Sequence, residues 1–215
     1  MTTLPASDIA VGVPVSHLRQ LSMLGDKALN DLRGRFLAAR PFANHCHYGC
    51  FLSVQYLIAS ELKPVYSHPL RSKIFPFLKP TDHIVKIEGD MRDLGSAYSY
   101  IRPVYPAHDA SLNPAHLCGT LFIAEGLRLM FPYFRKQAEH LGFDSCFGAR
   151  HLACDASGIR QRWTAFVTTV NSMCFSAQDM VVMAAAADRT IKQIRTVIDG
   201  EFGSSFNGNE RLLHG

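Results

Sequence analysis

The chain has 215 residues, 47% of them hydrophobic and 19% charged, with a formal charge of +4. With 14 Phe and 7 Tyr it is too rich in core-forming residues to be disordered, and its length suits one domain. The mild charge, without blocks of like sign, excludes a nucleic-acid stripe. No apolar run of about 18 residues predicts a membrane span. Nor does the N-terminus combine a basic start with an apolar run, as a signal peptide would. The expectation is a soluble, cytoplasmic protein that contacts neither nucleic acid nor membrane.

Helical periodicity dominates the chain. Leu21, Leu24, Ala28, Leu32 and Phe36 recur three or four residues apart, predicting an amphipathic helix from His17 to Leu37. Asn44 is placed to cap a second helix carrying Phe51, Leu52, Val54, Leu57 and Ile58, with Lys63–Pro64 breaking it. Pro69 opens a short segment, and Ile74 to Pro80 reads as a loop or brief helix. Thr81 to Gly95 reads as a more polar third helix. Pro103, Pro106 and Pro114 make residues 99–114 a connector.

From Ala115 to Leu141 the chain is apolar on nearly all sides, which predicts a central helix. Pro132 in its interior should bend it. A loop from Phe143 to Ser157 leads to a helix from Gly158 to Met173. The last helix starts at Ser176, where Ser176-x-x-Asp179 resembles a capping box. The polar, Gly-rich residues 203–215 are expected to form a flexible tail. No period-two strand pattern survives, so the class is all-α. Residues 17–202 form the single domain, and residues 1–16 are an N-terminal extension.

The six cysteines contain no CxxC pair. Cys46 and Cys50, flanked by His45 and His47, lack the paired spacing of a zinc site and read as free thiols in a reducing compartment. There is no GxGxxG, P-loop, GxSxG or HExxH.

Three blocks carry a resemblance. The first is Phe147-Gly-Ala-Arg-His-Leu-Ala153, followed by Gly158 and Trp163-Thr-Ala-Phe-Val167. The second runs Pro41-Phe-Ala43, Gln55-Tyr-Leu57, Leu62-Lys-Pro-Val-Tyr66. The third is Thr120-Leu-Phe-Ile-Ala-Glu-Gly126, ahead of Leu129 and Phe134-Arg-Lys136. With Asp93-Leu-Gly95 in its expected place, the chain resembles the bacterial heme oxygenases from about Leu18 to Val197.

The resemblance implies an all-α heme oxygenase-like fold that clamps heme between two helices, and an electron-donor protein as partner. The proximal helix would give a neutral His to iron. The distal helix would cross the other face with glycines, allowing close backbone approach. The implied activity is cleavage of heme to biliverdin, CO and iron. On the same basis Leu29, Phe122, Gly126, Met130, Arg135, Lys136 and Arg150 border the site, with the basic end of the distal helix facing propionates.

Two departures bear on chemistry. Counting back from Pro41-Phe42, Leu29 stands where the family has its proximal His, and leucine has no lone pair. On the distal side Gly126 is kept, whereas Met130, Phe131 and Pro132 replace a glycine and small residues. Met130 is a weak candidate axial ligand and reads more simply as core filler. Arg150 and His151 suit either a polar network beside the pocket or a loop tie. The expectation is a homologue with lost or weakened heme cleavage that still takes heme or a bilin. The alternatives are an active enzyme with a substitute ligand and an interaction module with a closed core.

Overall fold

A computed structural model describes residues 17–79, 83–95, 112–153 and 155–212, with side chains omitted at 17–26, 28 and 204–212. The N-terminal extension, most of the Pro-rich connector and Cys154 lie outside these residues. The helices are α1 (His17–Ala39), α2 (His45–Ser67), α3 (Pro69–Ile74), α4 (His83–Asp93), α5 (Pro114–Arg128), α6 (Phe131–His140), α7 (Ala156–Ser172) and α8 (Ala177–Leu212). A 3₁₀ turn spans Arg150–Leu152. Among the described residues there is no strand, only an isolated bridge between Asp144 and Gly148. The all-α, single-domain expectation holds.

Side-chain caps account for several boundaries. Asn44 accepts from the His47 amide, Asn113 from that of His116 and Asp155 from that of Gly158, each tying down a free N–H of a first helical turn. The Ser176 box is reciprocal: the Asp179 amide donates to Ser176 Oγ at 3.1 Å, and the Ser176 amide donates to the Asp179 carboxylate at 2.9 Å.

Three boundaries differ from the sequence expectation. Pro64 lies inside α2, which continues to Ser67. One lost backbone bond does not end a helix whose next turn is held by Tyr66 bonding to Glu125. The long central helix divides at Leu129–Met130, and Pro132 occupies the first turn of α6, where its missing N–H is not needed. Helix α8 continues through the Gly-rich segment as far as Leu212.

Helix α5 is the axle of the fold. Twelve of its residues are buried, from Ala115 to Leu127, and it packs on α8, α1, α2 and α7. Pro114–His140 is apolar enough to cross a membrane by composition, yet 72% of its most apolar window is buried inside the protein. A cluster of Phe36, Phe42, Tyr48, Phe51, Phe134 and Phe143 fills the core beside it, with ring centroids 4.5–6.1 Å apart.

Candidate functional site

Gly119 and Gly126 set the neighbours of α5. A Cβ on Gly119 would stand 2.1 Å from the carbonyl oxygen of Met183, so α5 and α8 touch backbone to backbone. A Cβ on Gly126 would meet Leu29 Cδ1 at 2.7 Å and Cδ2 at 3.2 Å. The isobutyl group of α1 thus sits in the dent left by the glycine. Proximal and distal candidates are brought together, and they are already in contact.

The other candidates fall on either side of this contact. Phe122 is buried, its ring 5.3 Å from that of Trp163 on α7. Met130 precedes α6 without a side-chain capping bond and packs half-buried on the core. Arg135 is exposed and donates to Glu139 at 3.0 Å, and Lys136 is exposed. Arg150 binds Asp90 (3.1 Å) and Asp93, which fixes the loop before α7 onto α4. These partners come from α4, whereas Asp155, the carboxylate nearest in sequence, caps α7 instead. His45 and His47 donate to the Leu141 and Arg40 carbonyls, at 3.2 and 3.0 Å.

The opposite face of α5 borders open space. Ala124 and Arg128, two residues either side of Gly126, lie about 160° around the axis from it. With Leu127 they wall a cavity of about 330 Å³. From α2 a stripe of Gln55, Ile58, Ala59, Leu62, Lys63 and Tyr66, spaced three or four apart, lines it. His83, Ile84, Val85 and Glu88 of α4 and Phe36, Phe131 and Phe134 complete the wall. None of the seven candidates taken from the sequence lines this space.

Two buried charge clusters flank the cavity. Glu125, 2% exposed, receives Arg162 Nε at 2.6 Å, Arg162 Nη2 at 2.8 Å and the Tyr66 hydroxyl at 2.5 Å. Burial opposes its ionisation, yet the Arg162 hydrogen bonds, the Arg128 and Arg162 charges and the Tyr66 hydroxyl outweigh it and hold the carboxyl below its ordinary range. In the second cluster Asp90, fully buried, accepts from the Arg150 and His151 amides and from His151 Nδ1 at 2.7 Å. Burial lowers the His151 pKa against the pull of Asp90. His151 Nε2 has no hydrogen-bond partner among the described residues. His83 stacks on Phe131 at 5.5 Å and meets the His151 ring at 5.8 Å. Its pKa is driven well down, first by burial and then by Arg128, His151, Lys86 and Arg162.

No family model matches the chain. Heme oxygenase PigA of Pseudomonas aeruginosa is 27% identical over 188 residues, covering 86% of this chain and 92% of that protein. The NO- and CO-bound heme oxygenase from Neisseria meningitidis superimposes with a TM-score of 0.76 at 22% identity, covering 88% and 93% of the two chains. This chain has the heme oxygenase fold.

A heme oxygenase fold raises the question of heme. Sandwiching a flat ring needs two carbon contacts of about 3.5–4.0 Å, hence opposing atoms roughly 7–8 Å apart. Leu29 leaves no such gap over Gly126. No imidazole stands on α1 at this level. The residues present between α1 and α5 do not fit heme. Gln55 and His83 are among the cavity residues that sequence reasoning missed. Gln55 left a trace as a polar residue within an apolar helical stripe; His83 reaches the cavity through tertiary packing alone.

Proposed function

We propose that this chain is a heme oxygenase homologue that has lost heme cleavage and keeps the fold as a scaffold. The observation that carries the reading is the contact of the Leu29 methyls with the bare backbone of Gly126. Similarity to named heme oxygenases along most of the chain supports the homology. Leucine supplies no electron pair for iron, and its packing leaves no slot for a tetrapyrrole between α1 and α5. A protein without turnover needs no electron-donor partner. Exposed free thiols at Cys46, Cys146 and Cys174 suit a reducing, cytoplasmic setting.

The test is a hemin titration of the purified protein, followed by ascorbate, with biliverdin titrated in parallel. The expected result is no sharp stoichiometric Soret band and no verdoheme or biliverdin bands. Tight hemin or biliverdin binding would remove the closed slot; biliverdin formed from hemin would remove the loss of cleavage. Leu29→His with Met130→Gly should bind hemin better than Leu29→His alone. A second reading, an enzyme with a substitute ligand, draws on the His83 imidazole facing the cavity. That reading requires a Soret band that His83→Ala abolishes. A cavity of about 330 Å³ is at the small end for ligand pockets and argues against it.

A further inference from the structure

The buried pair of Asp90 and His151 has one end left over. Asp90 accepts the Arg150 and His151 amides, Arg150 Nη1 and His151 Nδ1, the last at 2.7 Å. Nδ1 therefore carries the ring proton, and burial keeps the imidazole neutral. Nε2 is left as a bare lone pair, shielded from solvent and without a hydrogen-bond partner among the described residues. Such a lone pair costs free energy until something donates to it or binds it. A carboxylate on Nδ1–H is also what fixes the tautomer and the ring of a metal-binding histidine and strengthens its other nitrogen as a donor.

A second imidazole stands beside it. His83 opens α4, and its ring centroid lies 5.8 Å from that of His151, with the planes at 64°. The His83 ring is stacked on Phe131, and burial keeps it neutral as well. A ring nitrogen lies about 1.2 Å from the centroid and meets a metal at about 2.0 Å, which puts each centroid about 3.2 Å from the ion. Two centroids 5.8 Å apart then subtend about 130° at it, a bent pair around one ion. His83 also lines the cavity behind α5, which gives the ion a way in.

The surroundings select the ion. Among the described residues no group of three or more His, Cys, Asp or Glu is placed to hold a metal, so the four protein donors of a structural zinc site are missing. A closed-shell monovalent ion such as copper(I) is satisfied by two neutral nitrogens, and imidazole is a copper ligand. Charge acts in the same direction. Arg128, Lys86 and Arg162 press on His83, while Asp90 touches His151 and Glu88 stands in the cavity wall. The three cations repel a dication twice as strongly as a monocation.

We infer that His83 and His151 bind one copper(I) ion between them. Ligation joins two neutral nitrogens to an ion already in its reduced state, so no electron or proton moves. The inference goes beyond the lost heme cleavage, because it uses α4 and the turn before α7 rather than the contact of α1 with α5.

Anaerobic titration with copper(I) against bicinchoninate tests it, on protein whose exposed thiols Cys46, Cys146 and Cys174 are alkylated. One ion should bind per chain, and X-ray absorption should show two nitrogen donors at about 1.9–2.0 Å and no sulfur. Zinc(II) should bind at least about a hundredfold more weakly. In histidine nitrogen NMR spectra, copper(I) should move His151 Nε2 and one nitrogen of His83. His83→Phe keeps a ring on Phe131 and should weaken copper(I) binding by about a hundredfold or more, with circular dichroism unchanged. No uptake (which would leave Nε2 to a buried water), sulfur in the shell, zinc(II) bound as tightly as copper(I), or full affinity in the folded His83→Phe variant would each overturn the assignment. Should that variant not fold, unmoved His83 and His151 nitrogens in the native sequence would overturn it alone.

Discussion

The contact between Leu29 and Gly126 is open to a double-mutant cycle. In Gly126→Ala the new methyl would stand 2.7 Å from Leu29 Cδ1, 3.2 Å from Cδ2 and 3.5 Å from Cγ. Overpacking of this kind costs about 1–3 kcal/mol. Replacing glycine in a helix interior returns about 1 kcal/mol, so the single variant should lose about 0–2 kcal/mol. Leu29→Ala removes a half-buried side chain and should lose about 1–2 kcal/mol, below the 2–5 typical of a full core position. In the double variant the alanine methyl at 126 enters the space that leucine vacates, and the helix gain is recovered. The pair should therefore be more stable than the sum of the singles by about 1–3 kcal/mol. Urea unfolding measures this directly: about 2 kcal/mol of coupling corresponds to a midpoint difference of roughly 1 M. Additivity within about 0.5 kcal/mol would show that the two residues are not in contact, and the closed-slot reading would fall with them.

Gly119→Ala should be the harsher glycine change, because its Cβ would meet the Met183 carbonyl rather than the end of a flexible side chain. A loss of about 3 kcal/mol or more is expected, lowering Tm by roughly 6–12 °C; equal losses for the two glycine variants would contradict the backbone contact. His83 and His151 both have depressed pKa values in the fold. The unfolded chain therefore binds more protons below the ordinary histidine value of about 6.5. Their contribution is complete above that pH and is lost as pH falls from about 6.5 towards 5. Urea titrations across this window should show declining stability, and His83→Gln should flatten the slope; an unchanged slope would count against burial of a neutral His83.

Much of the fold was legible because its signals are local. Asn44 and the Ser176–Asp179 box marked helix starts through side chains that bond within three residues. Prolines are less legible, since sequence alone does not say whether Pro64 sits in a turn rescued by packing, or Pro132 in a first turn that spares its N–H. The Leu29–Gly126 pairing was legible only through resemblance. Asp90 and His151 are 61 residues apart in sequence, and Tyr66 and Glu125 are 59 apart. No periodicity announces such meetings. The cavity escaped for the same reason: each helix contributes an ordinary-looking stripe, and the vacancy exists only where the stripes face one another.

The seams around α5 also differ in what holds them. Against α8 the axle rests on bare backbone at Gly119, a contact that dissolved ions do not reach. Helix α1 joins α8 through surface charges as well as its buried Leu32 and Phe36: Arg35 to Asp199 at 2.7 Å, and Arg195 to Asp31 at 2.8 Å. Such exposed pairs weaken as ionic strength rises. Concentrated salt should therefore loosen the first helix before the axle, and the N-terminal flank is the side from which this scaffold would begin to peel.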